Sequence, residues 1–326
     1  MNWYKAQLRL RSSLATPIMG DTLFGHVCWG IARTKGEKEL ISFLDACEKD
    51  PSFFAVSNAF PLDTLPIPIL PASKEAAAIS ATQYGKKKKL KKRRYIPAQE
   101  LLNQKEALTI ERLNSMLEES NEDLTFKTLS HTHNTINRIT GTTLGPTGLF
   151  NSEEVALIPQ PNDITPTPDN PSINQKKPSL QVDVYIVSHE SIDAITELLA
   201  NGIRFGYGAD TSTGKGWMEI TEVIQITVSY KGNRYLALGP FIPTNEERER
   251  ISQFTYELFL RRGKVGPELV HRTNPFKKPI LFYKEGSSFA LSSPQPVIGT
   301  ILKGIHAESF IRHAAHTPIL PFRWEV

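Results

Sequence analysis

An α+β chain built as two similar halves is the architecture the sequence predicts, and three observations predict it. Residues 3–11 alternate apolar and polar, and a helical apolar stripe follows them at once. A stretch rich in proline, 160–178, interrupts the pattern midway. After it the strand and helix signals restart in the order strand, helix, strand, strand, helix, strand, which is the order of a ferredoxin-like unit. The first half opens the same way. The expectation is therefore two ferredoxin-like halves, 1–160 and 179–326, joined by a linker at 161–178, with an inserted β-hairpin and long loops.

Each element has its own signal. Tyr4, Ala6, Leu8 and Leu10 fall on one side of a strand, and Trp3, Lys5, Gln7, Arg9 and Arg11 on the other. That pattern predicts a half-buried strand with a basic outer face. Pro17 to Thr22 reads as a turn into a helix, with Asp21 or Thr22 as its N-cap. Leu23, Val27 and Ile31 form the stripe of that helix, and Glu37 to Cys47 predicts a second. Four prolines between Asn58 and Pro71 predict an extended connection. Pro97 to Leu102 and Thr109 to Glu118 read as helices. From His131 to Phe150 the chain is polar and β-branched, with Gly141, Gly145 and Gly148 at bends, and predicts a hairpin. Val182, Val184 and Ile186 mark a strand, Glu190 to Ala200 a helix, and Ile224 to Val228 a strand with Arg234 to Leu238 as its hairpin partner. Thr244-Asn245-Glu246-Glu247 is a capping box opening a helix to about Arg262. Pro279 to Leu291 reads as two strands joined at Glu285-Gly286, followed by another at Val297 to Leu302.

With 326 residues the chain is long for one domain and comfortable for two. Apolar residues at 40% and charged residues at 22% exclude a mostly disordered chain. Mean hydropathy is -0.28 and no uncharged apolar run approaches the ~20 residues of a membrane span, so a cytoplasmic protein without membrane contact is expected. Cys28 and Cys47 stand in no CxxC or Cys/His cluster, which argues against a zinc finger or disulfide scaffold. Net charge is +4, but Lys86 to Arg94 alone holds eight positive charges, so the rest of the chain is net acidic at −4. Such a block repels itself and calls for a polyanion or open solvent. Lys88, Lys92 and Arg93 are its candidate contacts.

The densest local signal is Gly206-Tyr207-Gly208-Ala209-Asp210-Thr211-Ser212-Thr213-Gly214-Lys215-Gly216. Glycines let backbone approach an anion, and successive N–H groups can form an anion-binding concavity. A Walker loop is excluded: five residues separate Gly208 from Gly214, and Gly216 stands where a magnesium-binding hydroxyl belongs. A dinucleotide fingerprint fails because no helix follows. The expected contacts are phosphates at Gly206, Gly208, Ser212, Thr213, Gly214, Lys215 and Gly216, with Tyr207 or Phe205 stacking on a base.

A second segment, His131 to Thr143, is dense in hydrogen-bond donors. His131, Asn134, Asn137, Arg138 and Thr140 are candidates for sugar, base or phosphate contact. His131 and His133, and likewise His313 and His316, lack a third metal ligand at plausible spacing, so no metal site is expected. On the first helix Asp21, His26, Trp29 and Arg33 read as structural or partner-facing; no Asp or Glu stands near His26 to orient it for catalysis. Lys278, in the cation-rich stretch Arg272 to Lys278, is a further candidate for RNA contact. No catalytic constellation and no cofactor site are expected.

In this order the pieces resemble the RAMP superfamily of CRISPR effector subunits, and within it the fourth subunit of the type III-A (Csm) complex. Three stretches carry the resemblance: Gly20 to His26 after the first strand; Asn137 to Thr143 ending at Gly148-Leu149-Phe150; and the glycine loop followed by Lys277-Lys278 to Glu285-Gly286-Ser287, similar to a closing hairpin. The resemblance implies RRM-related halves and capping of the repeat-derived 5′ tag of a guide RNA (crRNA). As partners it implies a large polymerase-like signalling subunit and the backbone RAMP of the filament, with this chain present once in the hetero-oligomer. It implies no nuclease chemistry. The alternative from the same superfamily is a metal-independent endoribonuclease acting on repeat RNA through His26; nucleotide hydrolysis at the glycine loop is a weaker one.

Overall fold

The computed structural model describes residues 1–71, 93–103, 106–119, 124–143, 148–159, 180–266, 269 and 274–325. In chain order the elements are β1 (Asn2–Leu10), α1 (Gly20–Thr34), α2 (Glu37–Lys49), β2 (Phe54–Pro61), β3 (Thr64–Pro66), β4 (Tyr95–Pro97), α3 (Ala98–Leu102), α4 (Ile110–Glu119), β5 (Leu124–Asn134), β6 (Leu149–Pro159), β7 (Gln181–Ser188), α5 (Ile192–Ile203), β8 (Met218–Ile226), β9 (Arg234–Ala237), α6 (Asn245–Arg250), β10 (Ile251–Thr255), β11 (Leu258–Arg261), β12 (Ile280–Tyr283), β13 (Ser288–Leu291), β14 (Val297–Leu302) and β15 (His313–Phe322). It is a mixed α and β protein with several antiparallel sheets. None of the described helices is long and apolar enough to cross a membrane.

The first sheet has the order β2-β7-β1-β8, every neighbour antiparallel. Tyr4, Ala6 and Leu8 of β1 face α1 and α5 and share a core with Leu23, Val27, Leu199 and Ile203. The opposite face is not basic and open as the alternation suggests. Trp3, Phe60, Tyr185 and Val187 bury it against Leu236, Leu320 and Phe322 of the second sheet. A strand covered on both faces loses its alternation, which is why all eight residues of β2 are buried. Each large apolar side chain so buried contributes about 1.5–3 kcal/mol before entropy is counted. The two helices cross where both lack a side chain: a Cβ on Gly30 would lie 2.8 Å from the Asn201 backbone carbon, and one on Gly202 3.1 Å from that of His26.

The second sheet has the order β10-β13-β9-β15-β14. Its first four strands repeat the spatial order of the first sheet, with β14 added at the edge and no second helix between β13 and β15. Among the described residues, the β3–β4 pair, helices α3 and α4, and the β5–β6 hairpin are added between β2 and β7.

Several expectations are corrected here. A cut at 161–178 would separate β7 and β8 from the strands they pair with, since β7 lies between β1 and β2; residues 161–178 themselves lie outside the described set. Arg234 to Ala237 does not pair with β8. It pairs with β13 and β15, because buried Arg234 donates to Gln253, Thr255 and Ser288 in strands of the second sheet. The capping box forms, with Thr244 accepting from Glu247 N–H at 3.2 Å and donating its own N–H to Glu247 at 2.8 Å. Its helix stops at Arg250 rather than Arg262, because Ile251 pairs with Leu291 and the β-prone run behind it builds β10 and β11. Strands β12 and β13 do meet at Glu285-Gly286 but are not hairpin partners: β12 pairs with β11, and β13 with β9 and β10. The N-cap of α1 is Met19, not Asp21 or Thr22, because the Asp21 carboxylate is engaged across the molecule.

Candidate nucleic-acid interface

The segment from Arg11 to Met19, between β1 and α1, is the hub of the site. On one side it holds the glycine loop: Ser13 O accepts from Gly216 N–H at 2.8 Å, Thr16 Oγ1 from Ala209 N–H at 3.2 Å, and Ser12 Oγ from Trp217 N–H at 2.9 Å. On the other side Leu14 forms an antiparallel bridge with Val155 of β6. The loop and the hairpin, 47 or more residues apart in sequence, are thereby fixed to one short stretch of backbone.

The glycine loop is more closed than its sequence suggests. Gly206, Gly208, Gly214 and Gly216 all have positive φ. At Gly216 the requirement is absolute in space as well, since a Cβ would stand 2.0 Å from Tyr207 O. Most of the loop's N–H groups are consumed internally: Gly206 by Ile203 O, Tyr207 by Gly216 O, Gly208 by His26 Nε2, Thr213 and Lys215 by Asp210 O, and Gly214 by Thr211 O. The expected contacts through the amides of Gly206, Gly208, Gly214 and Gly216 are therefore corrected. Of the loop's own N–H groups, those of Asp210, Thr211 and Ser212 at the tip have no partner among the described residues. The Thr213 hydroxyl donates to Asp210 O at 2.9 Å.

Tyr207 is a second correction. It is fully buried, and its hydroxyl donates to Pro17 O at 2.9 Å and accepts from Met19 N–H at 3.0 Å. It anchors the loop to the hub and has no face for a base. Removing that hydroxyl in Tyr207→Phe leaves the part-buried Met19 N–H and the Pro17 carbonyl without it, and is expected to lower stability by about 0.5–1.5 kcal/mol. Denaturant midpoints of the two proteins test it; equal midpoints would show that the loop is not held this way. Phe205, in contrast, is exposed, with the guanidiniums of Arg33 and Arg204 over its ring at 5.1 and 5.7 Å. Trp29 lies beneath the same Arg33 at 5.7 Å. These side chains make a surface aromatic–arginine patch.

His26 serves the loop. Its Nε2 accepts from Gly208 N–H at 2.9 Å and its ring packs on Tyr207 with centroids 4.8 Å apart. Burial pushes its pKa down to about 4, against the pull of a hydrogen bond to the Gly202 backbone; the charge of Arg33 adds to the lowering. A neutral ring whose acceptor nitrogen is occupied is a positioning group for the loop.

Glu154 of β6 is a residue the sequence reading missed. It accepts from Ser13 Oγ at 2.8 Å, contacts His131 Nε2 at 2.9 Å, and pairs with Lys215 Nζ at 3.2 Å. These partners, Ser13 first, hold its carboxyl below the ordinary range. Lys215 and His131 are therefore brought together, by a carboxylate that already engages both. No sequence spacing announces this, because Glu154 sits in the returning strand of the hairpin.

Towards the hairpin tip, Asn134 ends β5 opposite Leu149. Asn137 Oδ1 caps the turn, accepting from Ile139 N–H at 2.9 Å and Thr140 N–H at 3.3 Å, and Thr140 Oγ1 meets Thr142 Oγ1 at 2.8 Å. Asn137 and Thr140 thus build the tip, and Arg138 projects from it exposed. His133 stacks on exposed Phe150 at 5.3 Å. Lys278 is tied down by Nζ donation to Gly304 O at 2.8 Å. Lys88 and Lys92 lie outside the described residues.

Between the base of the hairpin and the β11–β12 pair runs a cavity of about 760 Å³. Arg93, Arg94, Lys127, Arg261, Arg262 and Lys284 line it together with Glu257 and Glu285, and Lys284 pairs with Glu257 at 3.2 Å. Its inner wall is apolar. Only Arg93 of these cations was among the expected contacts. Arg94 ends the basic run already singled out, whereas Lys127, Arg261 with Arg262, and Lys284 come from three separate parts of the chain, so no local charge run reveals them.

At one end of this cavity Asp21 joins α1 to the second sheet. Its carboxylate receives Arg261 Nε and His313 Nε2, the latter at 3.0 Å, while Arg261 also donates to Thr22 Oγ1. Lys277 Nζ stands 3.4 Å from His313 Nδ1 and donates to Arg312 O at 2.8 Å. His316, the other histidine of that pair, meets Phe54 O at 2.9 Å.

No protein-family model and no curated protein matches the chain. Solved structures do. A chain in the Csm1–Csm4 cassette with pppApA aligns with a TM-score of 0.57 at 15% identity, covering 100% of this chain and 99% of that one. One in the cassette with AMPPNP gives 0.55 at 16%, covering 100% of both. One in the Csm3–Csm4 subcomplex of a type III-A CRISPR-Cas interference complex gives 0.54 at 14%, covering 99% of both. Csm4 is the component these assemblies have in common, and the likeness of this chain to theirs is one of fold, running from end to end.

Proposed function

We propose that the chain is the guide-RNA-binding subunit of a type III-A (Csm) CRISPR complex, present once and holding the repeat-derived 5′ tag of the crRNA. The observation that carries this reading is the likeness in fold, over the whole chain, to chains solved within Csm1–Csm4 and Csm3–Csm4 assemblies. Its two sheets are then two ferredoxin-like, RRM-related units, the second lacking one helix. Its partners are the large polymerase-like signalling subunit on one side and the backbone RAMP on the other.

The site supplies matching chemistry. A groove lined by six cations suits the phosphates of a single strand, and its apolar inner wall suits bases turned away from water. Arg138 at the hairpin tip and the amides of Asp210 to Ser212 at the loop tip add anion contacts on either side of the hub. His26 has a positioning role, so the task is binding rather than cleavage. The test is to purify the tagged protein from its native cells under mild conditions and sequence the RNA that travels with it. Short RNAs sharing one repeat-derived 5′ end, together with a polymerase-like partner and a second RAMP, are expected. RNA lacking a common 5′ end, or none, overturns the reading.

A further inference from the structure

Besides Glu257, which is paired with Lys284 at 3.2 Å, the groove described above contains two polar groups that phosphate binding does not call for. Asn58 lines it and is almost fully buried, at 7% exposure. Its Oδ1 is committed to Gly20 N–H at 2.8 Å, so what remains to offer a ligand is its NH2. Glu285 lines the same cavity. Among the described residues its carboxylate has no partner side chain at hydrogen-bond distance. Burial holds its carboxyl above the ordinary range, with the charges of Lys284 and Arg94 pulling the other way.

Both groups are held by the same strand end. Asn58 N–H donates to Leu238 O at 2.9 Å, and Gly286 N–H, next to Glu285, donates to Ala237 O at 2.9 Å. Gly286 O in turn accepts from Ile69 N–H at 2.8 Å. At Gly286 φ is +87° and a Cβ would stand 3.1 Å from Ile67 O, so the turn that presents Glu285 is sterically defined. Phe60, Ile67 and Ile69 give the cavity an apolar wall beside these groups.

A carboxylate in a cationic groove repels phosphate, so its presence there weakens backbone binding unless it receives a proton donor from the ligand. Bases are the part of RNA that carry such donors. Cytosine and adenine each place an exocyclic amino group beside a ring nitrogen acceptor. A carboxylate accepting from the amino group and an amide NH2 donating to the ring nitrogen match that edge. Uracil reverses it, offering two carbonyls around one N–H, and brings a carbonyl against the carboxylate.

We infer that Asn58 and Glu285 form a base-reading pair in the groove, selecting an amino-bearing base of the bound single strand over uracil. The inference rests on the RNA-binding reading above and adds specificity to it.

Oligo(C) and oligo(U) RNA 8-mers are the probes, because both are pyrimidines and differ only at the edge in question. Titrated against the full chain at fixed salt, oligo(C) is expected to bind about tenfold more tightly than oligo(U), the discrimination of one good paired contact. Glu285→Gln keeps the shape, removes the charge and replaces one of two acceptor oxygens by an NH2 donor. It is expected to weaken oligo(C), strengthen oligo(U) and bring the ratio near one. Asn58→Asp, which keeps the acceptor for Gly20 N–H, is expected to lower the ratio as well. Should the wild type bind both 8-mers equally, while Arg94→Ala and Arg262→Ala weaken both alike, the groove binds RNA but this pair does not read it. Should neither 8-mer bind at micromolar protein, this inference falls together with the reading on which it rests.

Discussion

Replacing Asp21 with Asn is expected to destabilise the protein by about 3–5 kcal/mol, the range for breaking a buried ion pair by removing one partner. The Asp21 side chain is 1% exposed and receives both Arg261 and His313. Without the negative charge, Arg261 and Lys277 face each other across His313 with nothing to balance them. Burial alone would raise the Asp21 pKa; the His313 hydrogen bond and the Arg261 charge outweigh it and hold it below the ordinary range. Burial pushes Lys277 down to about 8 even with Asp21 nearby. The cluster spans α1, β11, β15 and the segment before β12, so it clamps the first helix to the second sheet. A double-variant cycle separates coupling from simple loss of packing. Arg261→Met alone should also destabilise, but the pair Asp21→Asn with Arg261→Met should lose less than the two single losses added together. Strict additivity in urea midpoints would show that the clamp is not a coupled unit.

The same cluster explains where sequence reading stops. Asp21, His26, Trp29 and Arg33 are legible as one helix with chemistry on it, and α1 forms as the apolar stripe predicts. Their tasks are not legible, because each is set by a partner from another element: Asp21 by Arg261 and His313, His26 by Gly208, and Arg33 by Phe205. Local periodicity finds β1, α2 and α5, whose signals lie within about a dozen residues, and it finds the hairpin at 131–150 but not the outer lengths of its strands, which run from Leu124 to Pro159. It misses β15 altogether. That strand is buried along its whole length and carries Pro318 and Pro321, so neither alternation nor composition marks it. It fails too where an apparent hairpin has long-range partners, as at β9.

The candidate site divides the same way. The glycine loop was legible as a place of unusual backbone geometry, since four of its glycines do take positive φ. The use of that geometry was not. Glycines permit close approach, but what approaches here is the protein's own hub at Ser13, Thr16 and Pro17 rather than an open ligand surface. The groove, with its dispersed cations and with Asn58 and Glu285, needs the tertiary fold to exist at all.

Stability is expected to fall as pH drops from 6.5 to 4, with His26 a major cause. In the unfolded chain a histidine takes up a proton near pH 6.5. In the folded protein His26 does so only at about 4, because its ring is buried and its Nε2 must stay unprotonated to accept from Gly208 N–H. Above 6.5 neither state carries the proton and the group's contribution is fully present. Between 6.5 and 4 the unfolded state binds a proton that the folded state refuses, so stability is lost progressively. Below about 4 both states are protonated and the loss is complete. At 1.36 kcal/mol per unit the total is on the order of 3 kcal/mol. Burial also lowers the pKa of His313 and His316, so these add to the slope with the same sign. His26→Gln isolates the first contribution: an amide oxygen can still accept from Gly208 N–H but does not titrate. Urea unfolding at intervals from pH 7.5 to 4.5 should give a shallower fall for the variant, by about one proton's worth of slope, with little change at pH 7.5. If the two profiles run parallel, His26 is free to protonate in the folded state. Its nitrogen would then be available for proton transfer to a bound RNA, and the endoribonuclease reading would regain its strongest residue.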